Sequence, residues 1–290
     1  MTQLLQHLVN TLILGGTYAL LGIGLTLIFG IMNVVNFTHG ALYTVGAYAM
    51  YIAAAGLGLN FFVALPVAIV AGLLLGSLIE WTLLRPLRGS DIDTTMLVMI
   101  GAGIVLQSGT LWLFGGVAKA IPSPFPDAPL VLGPVSISWL RLFVLGAALV
   151  LILGTYLLID RTKLGRAMRA TFQDPDTAAL MGVNVRLIYT ATFAIGSALA
   201  AAAGALLGPV YVVFPGMGDL AAVKAFAIVI LGGLGNIPGA TIGGFMLALA
   251  EELGAGYVSS GYRDAMGFAI IIAILLFKPT GLFARAERIG

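Results

Sequence analysis

The 290-residue chain is 60% hydrophobic and only 9% charged, with a formal net charge of +2. A soluble globular domain carries about 25% charged residues, so this chain has too little charge to cover a water-facing surface. The small net charge argues against nucleic-acid binding, and the absence of cysteine excludes a disulfide framework and thiolate chemistry. The apolar runs are continuous rather than alternating, which predicts an all-α, polytopic transmembrane helical bundle.

Charged residues separate the apolar runs and set the predicted spans, the first of them being Glu80. A helix needs about 20 residues to cross the hydrocarbon core of a bilayer. A window of that size predicts segments at 8–31, 38–57, 61–84, 94–115, 139–159, 187–209, 220–233, 239–255 and 264–279. No basic segment or obvious cleavage site precedes residues 8–31, so we expect a span there rather than a removed signal peptide. The whole chain, residues 1–290, is predicted to be one membrane domain.

The seventh segment differs from the others. Residues 220–231 would make only about 18 Å of helix, which is too short to span a bilayer. The segment ends in the run GGLGNIPG at residues 232–239, where glycine and proline disfavour regular helix. We therefore expect about eight spans plus a short re-entrant half-helix.

Most basic residues fall at one end of the predicted bundle. The positive-inside rule then places the N-terminus outside and the C-terminus in the cytoplasm. The three basic groups are Arg85 and Arg88; Arg161, Lys163, Arg166, Arg169 and Arg186; and Lys278, Arg285 and Arg288. The proline-rich loop 116–138 is expected to be external, irregular and stiff.

The longest charged stretch, residues 160–186, is expected to be a cytosolic segment. Asp174 has the position of an N-cap, Pro175 that of the first helical residue, and Gly182 that of a C-terminal stop, which predicts a short helix over 175–181. This helix would present small or apolar side chains to water: Ala178, Ala179, Leu180 and Met181. Such a surface usually contacts a partner, and the alternative is an ordinary solvated loop.

Two further segments are candidates for a translocation pathway. Between the first two spans, at the cytosolic membrane edge, polarity is concentrated in four side chains: Asn33, Asn36, Thr38 and His39. No second histidine or cysteine is near, so metal binding is not expected there. The break at 232–239 places non-helical backbone at membrane depth, which is tolerated where it is buried in protein or lines a wet cavity. The alternative for this break is a simple cytosolic turn. The predicted pathway residues in and before the break are Lys224, Gly232, Gly233, Gly235, Asn236 and Pro238.

Other ionisable residues have simpler interpretations. We expect Glu80 to form a surface-level ion pair with the nearby arginines and Glu251 and Glu252 to be interfacial. Lys224 would either extend outward to the interface or contact an anionic group. None of the four lysines follows a glycine, so the sequence contains no Gly-Lys-Ser/Thr phosphate loop, and any ATP would be bound by a separate chain.

Five stretches, spread over nearly the whole length, resemble permeases of the branched-chain amino acid (Liv-type) ABC importers, specifically the smaller membrane subunit. They are GIMNVVNFTHG at 30–40, LRPLR at 84–88 with Glu80 before it, LGRAMRATFQDPDTAALMGVNV at 164–185, KAFAIVILGGLGNIPGATIGG at 224–244 and KPTGLF at 278–283. One departure is Ala41, where the family often has Glu. The third stretch resembles the family's coupling region. The residues implied to contact an ATPase are Gly165, Arg166, Arg169, Asp174, Pro175, Ala178, Ala179, Leu180 and Gly182.

The resemblance also implies the remaining components of the machine. These are a second related permease, two cytosolic ATP-binding subunits that hold ATP and Mg, and a periplasmic substrate-binding protein, assembled in the lipid of a bacterial inner membrane. This chain would itself carry no cofactor, metal or enzymatic activity. The implied cargo is a branched-chain or related amino acid, with urea, short amides and aromatic acids as alternatives.

Two other classes of protein compete with this interpretation. A secondary transporter or channel would need buried charges for ion coupling, and the chain offers few candidates beyond Lys224, Glu251 and Glu252. A membrane-embedded enzyme would need a catalytic cluster, and none is visible in the sequence.

Overall fold

The computed structural model describes residues 2–133, 135–278 and 281–283. Helices make up most of these residues, which confirms the all-α, polytopic class. The helices are α1 Thr2–Met32, α2 His39–Tyr51, α3 Phe61–Ile79, α4 Ile92–Phe114, α5 Trp139–Arg161, α6 Lys163–Gln173, α7 Pro175–Leu180, α8 Val185–Leu207, α9 Met217–Gly232, α10 Ile237–Tyr257 and α11 Arg263–Phe277. Arg285, Arg288 and residues 279–280 of the predicted tail stretch lie outside the described residues.

Short irregular elements extend or connect these helices. A π-helical turn, Ile52–Gly56, continues α2, and another, Glu80–Leu84, continues α3. Two short antiparallel strands, β1 Leu130–Leu132 and β2 Val135–Ile137, form a hairpin within the proline-rich loop. A single 3₁₀ turn, Ser260–Tyr262, precedes α11.

Each of the nine predicted apolar segments corresponds to a helix. Six are long and apolar enough to cross a membrane: Gln3–Met32, Phe61–Leu84, Ile92–Phe114, Trp139–Arg161, Val185–Leu207 and Ser260–Phe277. The expected number was about eight. The difference arises because α2 and α9 are short, with 13 and 16 residues, and because α10, although 21 residues long, carries two glutamates and is rich in glycine.

The bundle is built around α1 and α8. The most apolar stretches of these two helices are 89% and 83% buried, whereas those of α4 and of the segment containing α11 are 11% buried. The central helices therefore contact protein on nearly all sides. The peripheral ones present their aliphatic side chains outward, as expected for helices in contact with lipid or with another subunit.

The two ends of the bundle follow from the pairing of α1 with α10. Gly30 near the end of α1 packs against Gly235 just before α10, and α6 contributes Phe172 at the same level. At the other end of α1, His7 contacts Glu252 near the end of α10. We call the end at Gly30 and Gly235 the basic end, because it also carries the loop 85–91 and α6 to α7. We call the end at His7 and Glu252 the opposite end.

The loop between α1 and α2 turns back into the bundle. The His39 ring nitrogen Nε2 lies 3.0 Å from the carbonyl oxygen of Leu21, which is eleven positions before Met32, the last residue of α1. Eleven residues of helix correspond to about 16 Å. The start of α2 is thus well inside the bundle, and the sequence-based placement of this loop at the membrane edge is wrong for its second half.

Glycine contacts allow the short helices to pack closely. At the crossing of α2 and α8, a Cβ added at Gly204 would overlap the carbonyl of Tyr43, and one added at Gly46 would overlap the backbone of Ala201. The beginnings of α2 and α9 also meet backbone to backbone, at Gly40 and Gly218. Small residues are the usual means of close helix approach in lipid.

We predict that Gly204→Val destabilises the protein by about 1–3 kcal/mol, because the added side chain must separate α8 from α2. The thermal unfolding midpoint of the detergent-purified chain measures this. The matched control is Gly154→Val in α5, where an added Cβ meets nothing within 4 Å. Equal midpoints for the two variants would show that the close crossing is dispensable.

Candidate functional site

Lys224 lies at the centre of a buried polar cluster towards the opposite end of the bundle. Its ammonium Nζ is 2.9 Å from Oε1 of Glu251 on α10, 2.8 Å from Oδ1 of Asp264 on α11, and 2.6 Å from the hydroxyl of Tyr18 on α1. The Tyr18 hydroxyl donates to Oε2 of Glu251 over 2.8 Å. Of the two options for Lys224, contact with an anionic group is the one observed, and the group belongs to the same chain.

The cluster continues towards the ends of α10 and α1. Arg263 forms an ion pair with Glu252 and lies 3.7 Å from Glu251, while Nδ1 of His7 is 3.5 Å from Glu252. Glu251 is fully buried and Glu252 nearly so, which corrects the expectation that both are interfacial. The residues are buried because charges at membrane depth are costly in contact with lipid and are stable when they neutralise one another.

A cavity of about 250 Å³ lies beside this cluster, between α1, α2, α9 and the segment before α9. Lys224 and Arg263 contribute cationic groups to its wall, and Tyr18, Tyr43 and Tyr211 contribute aromatic rings and hydroxyls. Its remaining lining is mainly aliphatic. Such a cavity suits a small solute with an apolar part and an anionic part, although both cations are already paired.

The polar residues between α1 and α2 are mostly enclosed. Asn36, Thr38 and His39 are fully buried, whereas Asn33 is exposed and has a left-handed backbone with φ of 52°. Oδ1 of Asn36 accepts from the Thr38 amide over 3.0 Å, which ties the turn together. These contacts give the buried residues a role in holding the re-entrant loop.

The break between α9 and α10 is a compact turn at the basic end. Gly232 packs against Gly239, Gly233 and Gly235 have positive φ values of 88° and 75°, and Oδ1 of Asn236 caps α10 by accepting from the Gly239 amide over 3.0 Å. Pro238 occupies the first turn of α10.

Two contacts join this turn to the chain's last described residues. The side-chain amide of Asn236 donates to the Phe283 carbonyl over 2.6 Å, and the Leu282 amide donates to the Leu231 carbonyl over 2.8 Å. Neither of the two cavities described for residues 2–133, 135–278 and 281–283 includes this turn in its lining. A pathway beside the break stays a prediction.

The predicted cytosolic helix is present as α7, ending at Leu180. Asp174 caps it: Oδ1 accepts from the Asp176 amide over 2.9 Å and from the Thr177 amide over 3.1 Å. The hydrogen bonds from Thr177 lower the pKa of the Asp174 carboxyl below its ordinary value of 3.8. Pro175 begins the helix, and Gly182 has a φ of 86°, as expected for a stop.

The exposed face of α7 differs in one residue from the prediction. Ala178 is buried, whereas Ala179 is exposed and the side chains of Leu180 and Met181 are 88% and 81% exposed. A six-residue helix turns its side chains in several directions, so one alanine packs inward against the neighbouring helix. The side chains of Leu180 and Met181 thus stay mostly uncovered by the described part of the chain.

The helix α6 connects this face to the bundle. Gly165 packs on the carbonyls at the end of α5, and Arg169 donates to the Ile159 carbonyl and lies 3.5 Å from Asp160. Arg166 is exposed. The predicted coupling residues therefore do not all lie on one exposed surface with α7. Gly165 and Arg169 instead hold α6 against the end of α5.

Glu80 is fully buried rather than at the surface. It forms an ion pair with Arg88 and accepts from the Thr190 hydroxyl over 2.5 Å. The guanidinium of Arg88 lies 5.0 Å from the ring centre of Tyr189. These contacts tie the end of α3 to the beginning of α8 at the basic end.

Sequence reasoning missed the ion pair between Lys224 and Glu251. One signal was present: opposite charges stand on either side of the 232–239 turn, so antiparallel helices bring them towards each other. Proximity to Tyr18 and Asp264 had no comparable signal, because those residues are on α1 and α11, whose neighbours are set by tertiary packing.

Several helices long and apolar enough to cross a membrane, packed around an internal charged cluster, define a polytopic membrane protein. The family described as the branched-chain amino acid transport system permease component matches residues 7–275, and the chain belongs to that family. This confirms the resemblance drawn from the five sequence stretches.

Two relatives from this family match over nearly the full length of both chains. The chain is 39% identical to the high-affinity branched-chain amino acid transport system permease protein BraD of Pseudomonas aeruginosa, covering 98% of this chain and 96% of that protein. It is 36% identical to LivH of Escherichia coli, with the same two coverages. A more distant relative is LivM of Escherichia coli, 27% identical over 91% of this chain and 67% of that protein.

We predict that Lys224→Met lowers the free energy of unfolding by about 3–5 kcal/mol, because Glu251 loses its main counter-charge while staying buried. The double variant Lys224→Met with Glu251→Met should recover part of this loss. Thermal unfolding of the purified chain measures both, with Lys163→Met, an exposed lysine, as control. A midpoint for Lys224→Met equal to that of Lys163→Met would contradict the prediction.

Proposed function

We propose that this protein is the membrane-spanning permease subunit of an ATP-driven importer of branched-chain or related amino acids. The observation that carries the proposal is its full-length similarity to BraD and LivH, both described as permeases of high-affinity branched-chain amino acid transport systems. The chain has no phosphate loop, so energy would come from separate ATP-binding subunits that hold ATP and Mg.

In this proposal the basic end faces the cytoplasm and the ATPases dock on α7. Support comes from the positive charge of α6 and its neighbours and from the exposed Leu180 and Met181 beside Ala179. The N-terminus and the loop 116–138 would then face the periplasm and the substrate-binding protein. The location would be a bacterial inner membrane, with the C-terminus in the cytoplasm.

A second permease is proposed to complete the pathway. Support comes from the additional similarity to LivM and from the slight burial of α4 and α11 within this chain. Substrate would pass along the face that the two permeases share, and the exposed Asn33 would lie near the inner mouth. The glycines of the 232–239 turn would allow α9 to shift when the ATPases close.

A self-contained ion-coupled carrier is the second candidate, and one observation favours it. The buried Lys224 and Glu251, together with the partly exposed Asp264, form a charged network of the kind that proton or ion coupling uses. The full-length family match favours the importer, because the named relatives are components of transport systems with further parts.

Uptake in proteoliposomes distinguishes the two candidates. We predict that this chain, co-reconstituted with its second permease, the two ATPases and the binding protein, imports leucine, isoleucine or valine only with ATP. The chain alone should neither hydrolyse ATP nor take up amino acids. ATP-independent uptake by the chain alone would refute the importer and support the carrier.

We further predict that Ala179→Arg uncouples ATP hydrolysis from uptake in the complete transporter, because a long charged side chain would separate α7 from the ATPase. Uptake should fall about tenfold, as expected for a loss of roughly 1.4 kcal/mol of coupling, while membrane insertion is unchanged. Ser90→Arg, which adds the same charge at another exposed position of the basic end, is the control. Normal transport by Ala179→Arg would remove α7 from the coupling role.

A further inference from the structure

A second cavity, of about 180 Å³, forms a groove on the face of the chain between α2, α4 and α9. Most of its lining is small or aliphatic, including Gly40, Ala41, Gly103, Ile104, Gly218 and Ala222. The close approach of Gly40 to Gly218 forms its floor, because neither helix places a side chain there. One wall is α4, whose most apolar stretch is only 11% buried within the chain.

Asp219 and Gln107 are the polar pair of this groove. Nε2 of Gln107 donates to Oδ2 of Asp219 over 2.9 Å, and Asp219 is exposed. Asp219 is in the first turn of α9, and Gln107 lies in the second half of α4. Within the described residues no ion pair involves Asp219, whereas Lys224, one and a half turns later, is fully paired inside the bundle.

A carboxylate without a cationic partner is costly where it faces lipid. Ionisable side chains within membrane-spanning regions face a bundle interior or a water-filled cavity, and they mark substrate or ion pathways. Because Asp219 is on the outer face of this chain, the groove must open to water or to another subunit. The carboxylate also makes the groove selective for cationic groups.

The chemistry of the pair suits a primary ammonium group. Such a group has three N–H donors, and here the free Oδ1 of Asp219, its Oδ2 and the side-chain carbonyl of Gln107 are three acceptors within one site. The neighbouring Ile100, Ile104 and Ala222 offer apolar surface to an aliphatic chain. A zwitterionic aliphatic amino acid carries both of these parts.

We infer that Asp219, positioned by Gln107, contacts the ammonium group of the amino acid as it passes along the groove. This inference rests on the proposed function and names the recognition contact for it. Since Asp219 is exposed and already accepts from Gln107, the contact is weak and short-lived, which a conduit needs in order to release its cargo. The site is near the start of α9, away from the 232–239 turn.

The first test measures leucine uptake by the complete transporter. Asp219→Asn should lower the uptake rate about tenfold, as expected for loss of a charge-assisted hydrogen bond, while Asp219→Glu restores most of it. The second permease should co-purify normally with Asp219→Asn. Asp91→Asn, which removes an exposed carboxylate from the loop before α4, is the matched control and should transport normally.

The second test measures the electrostatic potential of the groove through thiol reactivity and does not depend on transport. The chain has no native cysteine, so Ala222→Cys is a unique label site beside Asp219. A cationic methanethiosulfonate should react with it several-fold faster than an anionic one, and this preference should disappear when Asp219→Asn is added. An unchanged preference would overturn the assignment.

The outcomes separate this inference from the proposed function. Uptake of amino acids by the unmodified transporter together with normal uptake by Asp219→Asn overturns the ammonium contact alone. Loss of the second permease from the Asp219→Asn complex also overturns it, and assigns Asp219 to a contact between subunits. No ATP-dependent amino acid uptake by the unmodified transporter overturns the proposed function, and the inference with it.

Discussion

Lys224 and Glu251 meet inside the bundle, where an unpaired charge of either sign would be costly. Their ion pair, extended by Tyr18 and Asp264, fixes the depths of α1, α9, α10 and α11 relative to one another. A shift of α9 by one turn, about 5.4 Å, would separate the charges. The position of every element that packs on α9 therefore depends on this contact.

The re-entrant loop is one such element. With α9 held at this depth, Gly218 near its beginning meets Gly40, so α2 has to begin inside the bundle rather than at its edge. The chain leaving α1 must then turn back to reach that point. Polar groups carried inward by the turn need partners, and some find them: Oδ1 of Asn36 accepts from the Thr38 amide and Nε2 of His39 lies beside the Leu21 carbonyl. Nδ2 of Asn36 and Nδ1 of His39 have no partner among the described residues.

The sequence predicted local features well and neighbours poorly. The nine apolar segments are all helices, and the cap at Asp174 and the stop at Gly182 are where residue type alone places them. Burial of Glu80 and Glu251 was not predicted, because their partners Thr190 and Tyr18 are more than a hundred residues away along the chain. In a chain that is apolar nearly throughout, hydrophobic pattern does not reveal which helix faces are inside, so the groove holding Asp219 was also missed.

The hydrogen bond from the Leu282 amide to the Leu231 carbonyl joins two segments that are synthesised far apart in time. The Leu231 carbonyl, in the last turn of α9, is synthesised some fifty residues before its donor, the Leu282 amide. The Phe283 carbonyl, which accepts from the Asn236 side chain, is likewise synthesised long after its donor. The basic end of the α9–α10 hairpin therefore gains these two hydrogen bonds only after α11 has been synthesised.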